Sequence, residues 1–273
     1  MLASFLIVFR EGLEAFLLLG IMLTYLDKIQ ASGYRRYVYL GSIVGLMVSL
    51  VVAFVLQVVI SQFESEHYKA LLMIGILLFA SGVLSYMSIW MQRQSGARVS
   101  AVRSQIETHV TTRNVIGMSL LSFVAVLREG FETVLFFSAL TYAESKSMTL
   151  QSGVAGGLLG LASSIALVWV LMRGTRKLAL GPFFKYTGLL LIVIAAGLFS
   201  SAVNMMQTVG WLPPGAALFD ISYILDDRGG IGLFLRALFG YNASPNLLQF
   251  LSWTLFLGTF LFFWRRTYAP ARA

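Results

Sequence analysis

The chain has 273 residues, 58% hydrophobic and only 12% charged, with a mean hydropathy of +0.81. Soluble domains carry about 25% charged residues, so these values exclude a soluble globular class and leave an all-α polytopic membrane protein. There is no cysteine and histidine occurs only at His67 and His109, which excludes disulfides, thiolate ligands and an all-imidazole metal site within one chain.

A membrane-spanning helix needs about 20 mostly apolar residues. Seven stretches qualify: 2–26, 38–60, 70–92, 115–142, 152–172, 183–205 and 247–264. The first has no basic leader and carries three ionisable residues where a signal peptide is apolar, so it reads as a retained helix. Those residues are Arg10, Glu11 and Glu14, in the run Arg10-Glu11-Gly12-Leu13-Glu14. The fourth stretch holds the same pattern, Arg128-Glu129-Gly130-Phe131-Glu132.

Ionisable groups inside a span are costly and mark functional sites by default. In each motif the two carboxylates stand at i and i+3 on one helical face, and the arginine lies four residues before the second glutamate, within its reach. Two such helices facing each other bring four carboxylates and two guanidiniums together. With every group ionised the set carries −2, which a divalent cation neutralises and a trivalent one exceeds by one. Carboxylates without Cys or His nearby suit a hard ion such as ferric iron, manganese, magnesium or calcium. A bound cation favours the ionised carboxylates and crowding disfavours them, so proton–metal exchange is a natural coupling. The structural alternative is a pair of buried ion pairs that fix helix register, a poor route to stability.

The connecting segments set the topology. Segments 27–37, 93–114, 173–185 and 265–273 hold 14 Lys and Arg, whereas 61–69, 143–151 and 206–246 hold 4. The basic set is cytoplasmic by the positive-inside rule, which puts the N-terminus outside and the C-terminus inside. It also explains the net charge of +8 without nucleic acid. The acids are biased the other way. Glu64, Glu66, Asp220, Asp226 and Asp227 fall on the outer side, either as a cation-collecting mouth or as a solvated surface. Within 93–114, Val99, Val102, Ile106 and Val110 recur at helical spacing, which predicts an amphipathic helix on the inner leaflet with Arg98 and Arg103 near anionic headgroups. In the outer loop 206–246, apolar runs around 216–225 and 231–239 are too short to span and are expected as interfacial or re-entrant helices.

A motif recurring in spans one and four requires the second three-span unit to be inverted. The expected organisation is a single permease domain over 1–273. It comprises repeat one (1–92), a cytoplasmic linker (93–114), repeat two (115–205), the outer loop (206–246) and a seventh helix (247–264). Gly41-x-x-x-Gly45 in span two is paired with Gly153-x-x-x-Gly157 in span five, and Gly82-Val83-Leu84 with Gly197-Leu198-Phe199. Such glycines let helices approach closely. The 11 methionines read as packing residues, and no nucleophile, phosphate-loop or zinc motif supports an enzyme.

The paired Arg-Glu-Gly-Leu-Glu and Arg-Glu-Gly-Phe-Glu motifs resemble those of the iron permease family, the oxidase-dependent iron transporters, and most closely its bacterial type. The resemblance extends to Leu180-Gly181-Pro182-Phe183-Phe184-Lys185-Tyr186-Thr187, Ala195-Ala196-Gly197-Leu198, Phe219-Asp220-Ile221-Ser222 and Phe239-Gly240-Tyr241. It implies inward iron transport across the bacterial inner membrane, with Glu11, Glu14, Glu129 and Glu132 handling iron beside Arg10 and Arg128. Iron, ferrous or ferric, is then the transported substrate rather than a resident cofactor. The resemblance further implies a separate ferroxidase, peroxidase or periplasmic iron-binding protein as partner. A permease for another divalent metal or lead, a membrane metal sensor, and an anchor subunit of an oxidoreductase complex are the alternatives.

Overall fold

Lipid offers backbone N–H and C=O groups no partners, so apolar stretches of this length must satisfy them internally as helices. The computed structural model describes residues 2–62, 65–143, 150–173, 180–227 and 230–268. It contains α1 (Leu2–Lys28), α2 (Arg35–Gln62), α3 (Glu66–Thr111), α4 (Val115–Ala143), α5 (Leu150–Arg173), α6 (Leu180–Thr208), α7 (Gly230–Phe239) and α8 (Leu247–Tyr268). Among the described residues the only extended pairing is an isolated antiparallel bridge between Ala217 and Asn246.

Among the described residues, five segments are long and apolar enough to cross a membrane: Ser32–Ile60, His67–Trp90, Gly153–Arg173, Lys185–Thr208 and Leu247–Arg266. Helices α1 and α4 match them in length, at 27 and 29 residues, but each carries an Arg-Glu-x-x-Glu motif. Their charged face must therefore be covered by protein, and it is: Arg10, Glu11, Glu14, Glu129 and Glu132 are all buried.

Helix α2 packs along α4, α1 along α5, and α3 along α6, with α1 and α4 crossing at the centre and α8 against α6. Glycines set the closest approaches. A Cβ on Gly45 would lie 2.9 Å from the Phe123 carbonyl oxygen and 3.2 Å from the Leu127 nitrogen of α4. A Cβ on Gly160 would lie 2.5 Å from the Phe5 carbonyl oxygen and 2.9 Å from the Phe9 nitrogen of α1. Phe5 and Phe9 stand before Gly12 where Phe123 and Leu127 stand before Gly130, so the two contacts are equivalent. The matching series is therefore Gly41, Gly45, Ser49 and Gly156, Gly160, Ser164, all six buried. The expected partner of Gly45, Gly157, meets only ordinary van der Waals contact, with Val8 at 3.6 Å. Matching on Gly-x-x-x-Gly alone chose the wrong register; the serine one turn further on corrects it.

Two apolar cores lie on either side of the motifs. One contains Ile7, Leu77, Leu84, Phe136, Ile194 and Leu198. The other joins the ends bearing the basic loops through Met22, Leu26, Val38, Ile106 and Met118. Ile106 belongs to the segment expected as a separate helix on the leaflet. Instead α3 runs on unbroken to Thr111, and Val102, Ile106 and Val110 pack against α1, α2 and α4. An apolar stripe fits a protein groove as well as a lipid surface, which is why spacing alone did not distinguish them. Arg103 lies over the Tyr25 ring at 5.6 Å, and the Tyr25 hydroxyl donates to Glu107, tying α3 to the end of α1. The side chains of Arg98 and Val99 lie outside the described residues.

The loop after α6 is held by its own hydrogen bonds. Gln207 Nε2 donates to the Pro213 carbonyl at 2.9 Å and Asn246 Nδ2 to Gln207 Oε1 at 2.6 Å. Of its two apolar runs only the second is helical, as α7; residues 216–225 are irregular. Gly240, at φ +64, ends α7 and lies so close to Gly197 that a Cβ on it would fall 2.2 Å from the Gly197 Cα.

Candidate metal site

The central glycine of each motif has a packing role. A Cβ on Gly12 would fall 2.5 Å from Ser164 Oγ of α5, and one on Gly130 would fall 2.2 Å from Ser49 Oγ of α2. Each motif backbone is thereby held against a neighbouring helix, and its carboxylates are turned toward the other motif.

The result is one cluster. Glu11, Glu129 and Glu132 each offer a carboxylate oxygen, and these atoms lie within 4.8 Å of one another. Among the described residues this is the one group of three acidic or imidazole side chains so close together. Glu11 Oε2, Glu129 Oε2 and Glu132 Oε2 are buried and receive no hydrogen bond from the described residues. Buried carboxylate oxygens without donors are expensive, and a cation between the three carboxyls would offset that cost.

The arginines are not equivalent. Arg10 is 2% exposed, with Nη1 at 2.6 Å from Glu11 Oε1 and Nη2 at 2.9 Å from Glu14 Oε1. Arg128 pairs through Nε with Glu132 Oε1 at 2.9 Å, yet its side chain is 38% exposed and lies over the Trp90 ring at 5.2 Å. Glu14, expected as a fourth ligand, is buried beside the cluster and engaged by Arg10. Helical spacing could not have predicted this, because Arg10 is in reach of both glutamates of its own motif. The serines Ser49 and Ser164 were missed; the repeated Gly-x-x-x-Gly-x-x-x-Ser was the signal.

Of the acids expected on the outer side, the described ones, Asp220, Asp226 and Asp227, lie outside this cluster. Asp220 is exposed and accepts the Ser222 amide hydrogen at 2.9 Å; Ser222 holds its carboxyl below the usual carboxylate range. Asp227 faces Arg236 at 3.3 Å, and Asp226 is exposed. Glu64 and the Glu66 side chain lie outside the described residues. Asp227 helps line a polar cavity of about 310 Å³ with Asn204, Thr208, Tyr241 and Gln249, whose inner wall includes Leu77. A second cavity, of about 610 Å³, opens between α3 and α4 and reaches Arg128 and Glu129.

Helices of this length and composition, with a carboxylate cluster buried between two of them, define a multi-pass membrane protein. The chain matches the iron permease FTR1 family over residues 1–269 and belongs to that family. It is 30% identical over 253 residues to a protein of Yersinia pestis named ferrous iron permease EfeU, covering 91% of this chain and 88% of the relative. A protein of Escherichia coli O6:H1 with the same name is 28% identical over 261 residues, covering 94% and 92%. No solved structure matches the chain.

Proposed function

We propose that this chain carries iron ions inward across the cytoplasmic membrane of a bacterium, using Glu11, Glu129 and Glu132 as the mid-membrane station. The observation that carries the reading is the approach of three buried carboxylates, from two helices, to within 4.8 Å. Family membership supports iron as the cargo, and the name of the relatives, ferrous iron permease, supports the ferrous ion. A charge of −2 over four glutamates and two arginines also suits a divalent cation. Glu14 and the two arginines keep the empty site together, and the arginines yield as metal enters.

Seven long helices span the bilayer in this reading, with the N-terminus outside and the C-terminus inside, as the bias of Lys and Arg supports. Residues 1–92 and 115–205 form inverted repeats within a single permease domain. The equivalent contacts of Gly45 and Gly160 support this. The inner linker 93–114 is then the continuation of α3, 206–246 the outer loop and 247–264 the seventh span. Uptake exchanges metal for protons, and a separate ferroxidase, peroxidase or periplasmic binding protein delivers iron. The protein acts as a transporter and not as an enzyme.

Radio-iron uptake into proteoliposomes holding this protein alone tests the reading. Net accumulation that is lost in Glu129→Gln and in Glu132→Gln, with both variants still inserted, is the expected result. A sensor or an anchor subunit accumulates nothing alone, and wild-type uptake by both variants would remove the cluster from the mechanism. Competition by manganese or lead reports selectivity.

A further inference from the structure

Glu129 belongs both to the carboxylate cluster and to the wall of the 610 Å³ cavity between α3 and α4. Glu11, Glu14 and Glu132 do not line that cavity. Its α3 wall presents Gln105, Thr108 and His109, and these lie at the end of the bundle that carries the basic loops. The same helix turns Ile106 and Val110 into the neighbouring apolar core, so the polar side chains are left on the cavity side. The His109 ring is seated against α4 where Gly117 leaves room: a Cβ on Gly117 would lie 2.4 Å from the imidazole Cε1.

The other direction is blocked. Ile7 lies one turn from Glu11, and Phe136 one turn from Glu132, both toward the end bearing the outer loop. With Leu77 they form a layer in which no side chain is more than 1% exposed. The polar outer cavity reaches Leu77 and does not include any residue of the cluster.

We propose that the cavity between α3 and α4 is the open half of the iron path, leading from Glu129 past Gln105, Thr108 and His109 to the basic face. The Ile7–Leu77–Phe136 layer is the closed half. This rests on the transport reading of the cluster and adds the direction in which the site is open. The chemistry of the walls fits release. Carboxamide, hydroxyl and imidazole side chains bind a metal cation more weakly than a carboxylate cluster does, and Arg128, also in the wall, repels it, so an ion leaving Glu129 meets contacts that pass it on without retaining it. An acyl chain from the bilayer is the competing occupant of a cavity whose remaining walls include Leu18, Leu121 and Val124.

The absence of cysteine makes a direct test available. Thr108→Cys, Ala125→Cys and Leu77→Cys are exposed singly to a charged, membrane-impermeant thiol reagent in inside-out and right-side-out vesicles. Gly33→Cys, in open space at the basic face, serves as the accessible control. The expected result is labelling of Thr108→Cys and Ala125→Cys from the basic face, at least about tenfold faster than from the opposite face, and none of Leu77→Cys from the basic face. No reaction of Ala125→Cys where Gly33→Cys reacts would mean a lipid-filled cavity and overturn the proposal. Faster labelling of either cavity position from the opposite face, or labelling of Leu77→Cys from the basic face, would overturn it too. If Ala125→Cys does not insert, Leu121→Cys replaces it with the same two outcomes. Labelling needs no iron, so failed uptake and failed labelling are separate results.

Discussion

Ser49 Oγ fills the space that a side chain on Gly130 would need, 2.2 Å from the position of its Cβ. Gly130 lies between Glu129 and Glu132, so the α2–α4 contact and the carboxylate cluster share one stretch of backbone. Gly130→Ala is expected to destabilise the protein by about 1–3 kcal/mol through overpacking and to lower iron uptake. Adding Ser49→Gly removes the clash while keeping the number of helical glycines constant, and should recover most of both losses. Thermal unfolding of the detergent-solubilised single and double variants measures the coupling. Strictly additive losses would mean that the contact does not set the position of the site.

Gly160 faces backbone rather than a side chain, with the Phe5 carbonyl oxygen 2.5 Å from its Cβ position. Backbone cannot rotate out of the way. Gly160→Ala is expected to cost about 1–3 kcal/mol. Gly258→Ala in α8, with nothing within 4 Å, should be neutral or more stable by up to about 1 kcal/mol. The two melting temperatures, measured side by side, decide it.

Arg10 and Arg128 occupy the same motif position in different surroundings. Arg10→Gln leaves Glu11 and Glu14 buried without their counter-charge, and removing one partner of a buried pair costs about 3–5 kcal/mol. Arg128 is 38% exposed, so Arg128→Gln should cost under about 1 kcal/mol. Equal melting temperatures for the two variants would contradict the asymmetry of the structure.

The carboxylates should also separate. Glu11→Gln, Glu129→Gln and Glu132→Gln each remove a member of the cluster. Glu14→Gln acts on it through Arg10, and losses of a residue supporting a ligand set are typically 10–100-fold in affinity. Uptake affinity is therefore expected to fall further for the three cluster variants than for Glu14→Gln. A Glu14→Gln loss as large as the others would make Glu14 a fourth ligand.

In the proposed mechanism protons and metal compete for the same buried oxygens, which face Arg10, Glu14 and Arg128. Acidification protonates the carboxylates and weakens metal binding, so initial uptake at fixed iron should fall as pH is lowered. Raising the iron concentration should restore it at low pH. A flat pH profile would remove proton–metal exchange from the mechanism.

Much of the architecture is legible in the sequence. The apolar stretches correspond to α1, α2, α4, α5, α6 and α8 within a few residues, because the requirement for backbone hydrogen bonds in an apolar stretch leaves little choice. The paired motifs are equally plain, since charge in such a stretch stands out against leucine and valine. The unbroken length of α3 was not legible: Arg93, Gln94, Ser95, Gly96 and Arg98 read as the start of a polar connection, and only packing against α1, α2 and α4 shows why the helix continues. Nor was the division of labour among the glutamates. Glu11 and Glu14 share one face of α1, and which of them joins Glu129 and Glu132 depends on where α4 crosses.

Helix α1 packs along α5, so Gly12 waits for Ser164 to be made. Ribosomes add about 5–20 residues per second, so roughly 8–30 s pass between the synthesis of the two. For most of that interval α1 also lacks α4, the helix toward which its charged face turns. The local pairing of Arg10 with Glu11 and Glu14 lets the newborn helix carry its own counter-charge through the wait.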